Sequence, residues 1–172
     1  MTTVSGKAKR LNHVSVYAKD MDESVRFYTE VLGLEVIPSP TFAFPVTWMR
    51  VGDLQVHLFE RSEDEYRPPA FHHFGIEMSD FMAVYERVKE LDVHEPVAFF
   101  SSVYELPDGG VQMYVRDPAG NLVELDFPDS STVDRSRVPE YRVLADDVEQ
   151  AEASREATLF LYLREGSVAG AS

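Results

Sequence analysis

The sequence contains no cysteine. Disulfides, thiolate nucleophiles and cysteine-ligated zinc or iron–sulfur centres are therefore excluded. Basic residues are scarce, 16 Lys and Arg against 30 Asp and Glu, and the net charge is −14. Phosphate recognition needs a basic footprint, so nucleic acid is excluded as a partner. Long apolar runs are missing too. The longest, around "FAFPVTWM", is short and broken by proline, too little to span a bilayer. Residues 1–10, "MTTVSGKAKR", are basic but lack the apolar run of a signal peptide. The expectation is a soluble cytoplasmic protein without a membrane partner.

What is present fits a globular chain. Its 172 residues, 44% of them hydrophobic, suffice for one domain or two small modules. A chain of this size buries roughly 70% of its unfolded surface and needs no covalent staple. Histidine is sparse, five in all, yet two stand side by side in "FHHFGIEMSD" at 71–80. That stretch has a counterpart in "LNHVSVYAKD" at 11–20.

The two stretches are copies of one unit. His73 lies 60 positions after His13, and Asp80 lies 60 after Asp20. In each copy apolar residues alternate with polar ones, the period of a half-buried strand. An aspartate then caps a helix: Asp20, with Glu23 as the partner of a capping box, and Asp80. The first helix carries a stripe of Val25, Tyr28, Val31 and Leu32 and stops at Gly33; the second carries Phe81, Val84, Tyr85, Val88 and Leu91. Strands are expected at "LEVI", "VTWMRV" and "LQVHLFE", and in the second copy at "VAFF", "VQMYVRD" and "NLVELDF". The charged, proline-ended "RSEDEYRPPA" reads as a linker.

The expected fold is α+β. Two tandem βαβββ modules, 10–62 and 70–128, form a cupped mixed sheet, and a helical extension follows at 138–165. Parity then assigns faces. His13 and His73 point away from the helices, into the cup, as does His57 between the core residues Val56 and Leu58. Glu124 does the same between Val123 and Leu125. Each module contributes one histidine from its first strand and one ligand-type residue from its last. The set His13, His57, His73 and Glu124 suits one divalent metal ion, whether zinc, nickel, iron, manganese or cobalt. Open positions on such an ion would take water or a chelating substrate. His57 is also a candidate acid–base group. Trp48 and Tyr114 offer an aromatic wall for a small substrate. Tyr17, Gln55, Phe59, Glu77, Gln112 and Arg116 are further cup residues. His72 faces the other way and has a structural role, and His94 is expected in solvent. The acidic "SEDE" and "ADDVE" runs read as solvated surface.

With "LNHVSVYAKDMDESVRFYTEVLGLEV", "HHFGIEMSD" and "VRDPAGNLVEL" in place, residues 10–127 resemble the vicinal oxygen chelate superfamily, which includes glyoxalase I, bleomycin and fosfomycin resistance proteins, methylmalonyl-CoA epimerase and extradiol dioxygenases. Similarity to glyoxalase I implies that His13, His57, His73 and Glu124 hold the metal. Glu124 or a neighbour would then move a proton through an enediolate, a lyase or isomerase reaction. His57 departs from the glutamate usual there in bacterial glyoxalase I, and no glutathione-binding segment is recognisable. Similarity to extradiol dioxygenases implies iron on His13, His73 and Glu124, with Tyr114 near the substrate and His57 as an acid–base group. The upstream histidine of that pattern is absent, because Glu105, Leu106 and Pro107 fill its places. A metal-free binding or resistance protein is the alternative of another class. The resemblance also implies a homodimer, or the same pairing of modules within one chain.

Overall fold

Alternating residues make the first strand, and a capped amphipathic helix follows it at once. In the computed structural model, which describes residues 8–61, 68–95 and 103–165, β1 (His13–Ala18) runs into α1 (Met21–Glu30). Asp20 caps this helix by accepting from the Glu23 amide at 2.9 Å. Gly33 ends the segment at φ +71°, a left-handed conformation costly for residues with a Cβ. The strands β2 (Glu35–Ile37), β3 (Val46–Val51) and β4 (Leu54–Glu60) complete a four-stranded sheet in the order β1-β4-β3-β2. The buried helix positions are Ser24, Phe27 and Tyr28. Phe27, outside the expected stripe, is thus a core residue, while Val25 is only half-buried.

The second copy repeats the plan. β5 (His73–Glu77), α2 (Phe81–Glu90), β6 (Val103–Glu105), β7 (Val111–Arg116) and β8 (Leu122–Phe127) follow in order. Asp80 caps α2 through the Ala83 amide at 3.1 Å. The sheet order is β5-β8-β7-β6, extended at its edge by β9 (Tyr141–Val143), parallel to β6. The strand expected at "VAFF" lies outside the described residues, as do positions 62–67 of the expected linker. The chain divides into two compact units, residues 1–65 and 66–172. The tandem modules are therefore present, each with its own sheet.

The sides of each sheet follow from parity. In the second unit Phe127 meets Phe81 of α2 edge-on at 5.0 Å, and Val123 and Leu125 are fully buried. Glu124 and Asp126 alternate with them and take the opposite face. β8 is buried along its whole length, so both of its faces are covered.

The C-terminal segment is helical only in short turns, α3 (Leu144–Asp147), a 3₁₀ turn at Glu152–Glu156 and α4 (Leu161–Glu165), and it begins with a strand. Between Glu149 and Thr158 it has no large apolar side chain. A continuous helix would have no face to bury there, and nucleation without packing is unfavourable. Phe160 anchors the segment. It is 4% exposed, and its ring would lie 3.1 Å from a Cβ placed on Gly110. Among the described residues no helix is long and apolar enough to cross a membrane.

Candidate functional site

In the first unit the pairing register brings three rings into one column. β4 lies between β1 and β3, so His57 stands opposite Ser15 on one side and Trp48 on the other. The His57 ring stacks on Trp48 at 4.3 Å and 3°, and on His13 at 4.4 Å and 15°. Amide oxygens set the imidazole tautomers. His13 Nδ1 donates to Asn12 Oδ1 at 2.6 Å, and His57 Nε2 donates to Gln55 Oε1 at 2.8 Å. The lone pairs of the neutral rings then lie on His13 Nε2 and His57 Nδ1, the form a metal requires. Burial, and secondarily the neighbouring His13, push the His57 pKa below its ordinary value. His57 is thereby held neutral near pH 7. Asn12, His13, Trp48, Gln55 and His57 line a cavity of about 430 Å³, a size suited to a small molecule.

In the second unit His73 and Glu124 meet directly, Nε2 to Oε2 at 2.7 Å. His73 Nδ1–H donates to the Phe71 carbonyl at 2.8 Å, so Nε2 is the nitrogen turned to the carboxylate. The two atoms stand at hydrogen-bonding distance, and both are ligand types that suit a divalent ion. Glu124 is 5% exposed and well supported: Gln112 Nε2 donates to its Oε1, and the Tyr114 hydroxyl also bonds to it. Burial, then the Glu124 charge and hydrogen bond, raise the Tyr114 pKa far above its ordinary value, so the phenol keeps its proton. The Tyr114 ring meets His73 edge-on at 5.9 Å.

Asp126 is a buried carboxylate beside Glu124 that the sequence reading did not single out. It is 7% exposed and hydrogen-bonds Glu124, and its pKa is pushed up to about 8 by burial first, then by Glu124 and Glu77. It fits only because Gly75 has no side chain: a Cβ there would lie 2.6 Å from Asp126 Oδ2. The signal was available, since Asp126 stands two positions after Glu124 on one strand and so shares its face.

The unit boundary separates the expected ligands into two pairs, His13 with His57 and His73 with Glu124. Among the described residues no group of three or more His, Cys, Asp or Glu side chains is gathered as a metal cluster. Of the two aromatic candidates, Trp48 accompanies the first pair and Tyr114 the second. His94 is not in solvent. Its side chain is 8% exposed, packs edge-on against Tyr85 at 6.4 Å and lies 3.8 Å from Glu140, because the chain after α2 bridges to Val115 of β7. His72 is exposed.

Residues 10–125 match the sequence model of the Glyoxalase/Bleomycin resistance protein/Dioxygenase superfamily. The chain belongs to this superfamily. "Glyoxylase I 4" of Arabidopsis thaliana is 29% identical over 133 residues, covering 72% of this chain and 73% of that protein. A mitochondrial methylmalonyl-CoA epimerase of Mus musculus is 26% identical over 135 residues, 70% of this chain and 74% of the relative. Among solved structures, lactoylglutathione lyase from Agrobacterium tumefaciens shares the fold with a TM-score of 0.52 at 24% identity, over 71% of this chain and 96% of that one. The family match spans both modules and leaves the C-terminal segment outside, where β9 pairs with β6 and Phe160 packs at Gly110.

Proposed function

We propose that this superfamily member is a metal-dependent enzyme acting on a small substrate that offers two vicinal oxygens, with lyase or isomerase chemistry of the glyoxalase I kind. The observation that carries it is the His73–Glu124 contact, an imidazole nitrogen and a carboxylate oxygen 2.7 Å apart. His13 and His57 occupy the corresponding strands of the other unit with their lone pairs set by Asn12 and Gln55. Imidazole and carboxylate together form an ordinary donor set for a divalent ion. In this reading His13, His57, His73 and Glu124 supply the ligands. Such an ion supplies Lewis acidity to the substrate oxygens.

The chain's own groups do the rest. Gln112 and Tyr114 fix the Glu124 carboxylate so that it takes or returns a proton from one direction. Where His13, His73 and Glu124 alone hold the ion, His57, kept neutral by burial, is the second proton acceptor. Trp48 beside the first pair and Tyr114 beside the second are the aromatic residues offered to substrate. Similarity to a glyoxylase and an epimerase favours this chemistry over ring cleavage. Glu105, at the place where ring-cleaving relatives would carry a further histidine, is engaged by Arg135 and Tyr141.

Metal content of the protein purified without a histidine tag tests the reading. The expected result is one divalent ion per site, lost in both His13→Ala and Glu124→Ala. No binding at micromolar metal would make the metal-free binding protein the better account. Loss of a hemithioacetal against oxygen uptake with catechols then separates lyase from dioxygenase.

A further inference from the structure

The two units carry the same plan with opposite chemistry on the face away from their helices. Where the second unit has Asp126, opposite Glu77, the first has Phe59, opposite Tyr17. Phe59 does not stand alone. The loop between β2 and β3, "PSPTFAFP" at 38–45, lays two further phenylalanines over this face. Phe44 lies 5.9 Å from Phe59 and 5.9 Å from Phe42, and Phe42 lies 6.5 Å from Trp48. Trp48 in turn stacks on His57. The result is an unbroken aromatic shelf that ends at the two candidate ligand histidines.

Phe42 and Phe44 remain 41% and 48% exposed although three prolines confine their loop. Leaving large apolar rings in water forgoes the stabilisation that burial would give, so an ordered exposed pair asks for a ligand. The neighbouring cavity of about 430 Å³ has room for a ring, not for a peptide helix. Trp48 Nε1 is buried with no acceptor among the described residues, so the shelf holds a donor that its own surroundings leave unsatisfied.

We infer that the substrate carries a flat aryl ring beside its vicinal oxygens, and that Phe42, Phe44 and Phe59 select for it. The inference deepens the proposed function and rests on it only for where the oxygens go. Offset stacking and edge contacts on such a shelf favour an aromatic group over an aliphatic one.

Mandelate and lactate make the test, since both place a hydroxyl beside a carboxylate and they differ in phenyl against methyl. Trp48 is the only tryptophan, so its emission reports binding at the shelf. The full chain is titrated after EDTA treatment and again with zinc, lactate being measured by competition. Mandelate is expected to bind about tenfold more tightly than lactate in both states, the ratio that burying one ring face gives. The Phe42→Ala/Phe44→Ala variant should bring the ratio to about twofold or less with zinc content unchanged. Phe44→Leu, which keeps an apolar side chain but removes a ring, should fall between them and serves if the double variant does not fold. Equal affinities, or a ratio kept in the variants, overturn the inference. A kept ratio with an altered elution volume assigns the shelf to contact between copies, which overturns it as well. Ring preference without zinc binding sinks only the metal reading, and zinc binding without ring preference sinks only this one.

Discussion

Gly75→Ala should damage the second unit through one side chain, and a second substitution should undo the damage. A Cβ at this position would stand 2.6 Å from Asp126 Oδ2, well inside contact distance. Asp126 has little room to move, being 7% exposed, bonded to Glu124 and paired across strands with Glu77 and Gln112. Overpacking of this kind costs about 1–3 kcal/mol. Replacing a strand glycine by alanine returns about 0.5–1 kcal/mol through the unfolded chain. The net loss is therefore about 1–2 kcal/mol. In an Asp126→Ala background the obstacle is gone, and the same Gly75→Ala change should be neutral or stabilising. The expected coupling between the two positions is about 2 kcal/mol. Urea unfolding followed by far-UV circular dichroism measures it. Trp48 belongs to residues 1–65, so its fluorescence would report the other unit. Equal effects of Gly75→Ala in both backgrounds would refute the reasoning.

In metal-free protein the stability should fall as pH rises between about 4 and 8, because Asp126 is raised from an ordinary 3.8 to about 8 by burial, Glu124 and Glu77. The fold favours the protonated form. Its contribution is full below the unfolded pKa and fades through the folded one, by at most about 1.4 kcal/mol per pH unit. Urea midpoints across that range should be flatter in Asp126→Asn, and an unchanged slope would assign the dependence elsewhere. Phe160→Ala should cost about 3 kcal/mol in thermal unfolding, as expected for emptying a buried ring site, and should speed proteolysis of the C-terminal segment. Tyr85→Phe removes a hydroxyl that donates to both Glu140 oxygens at 3.0 Å. It should cost about 1.5 kcal/mol, with Lys89 still pairing Glu140 at 3.3 Å and metal content unchanged.

The sequence by itself determined the duplication, the helix caps and the faces of the strands. Alternation has a period of two and the caps are local hydrogen bonds, so His13, His57, His73 and Glu124 could be placed on the correct sides without coordinates. Tertiary structure decided everything that depends on distance along the chain. Gly75 and Asp126 answer each other across a parallel strand pair from 51 positions apart, where one lacks the atom that the other displaces. Phe42 and Phe44 sit in an irregular loop, and only its path over Trp48 and Phe59 turns them into a shelf. His94 looked solvated because it follows a helix, yet the bridge to Val115 buries it. Local patterns fix which way a side chain points, while what it meets there depends on where the rest of the chain returns.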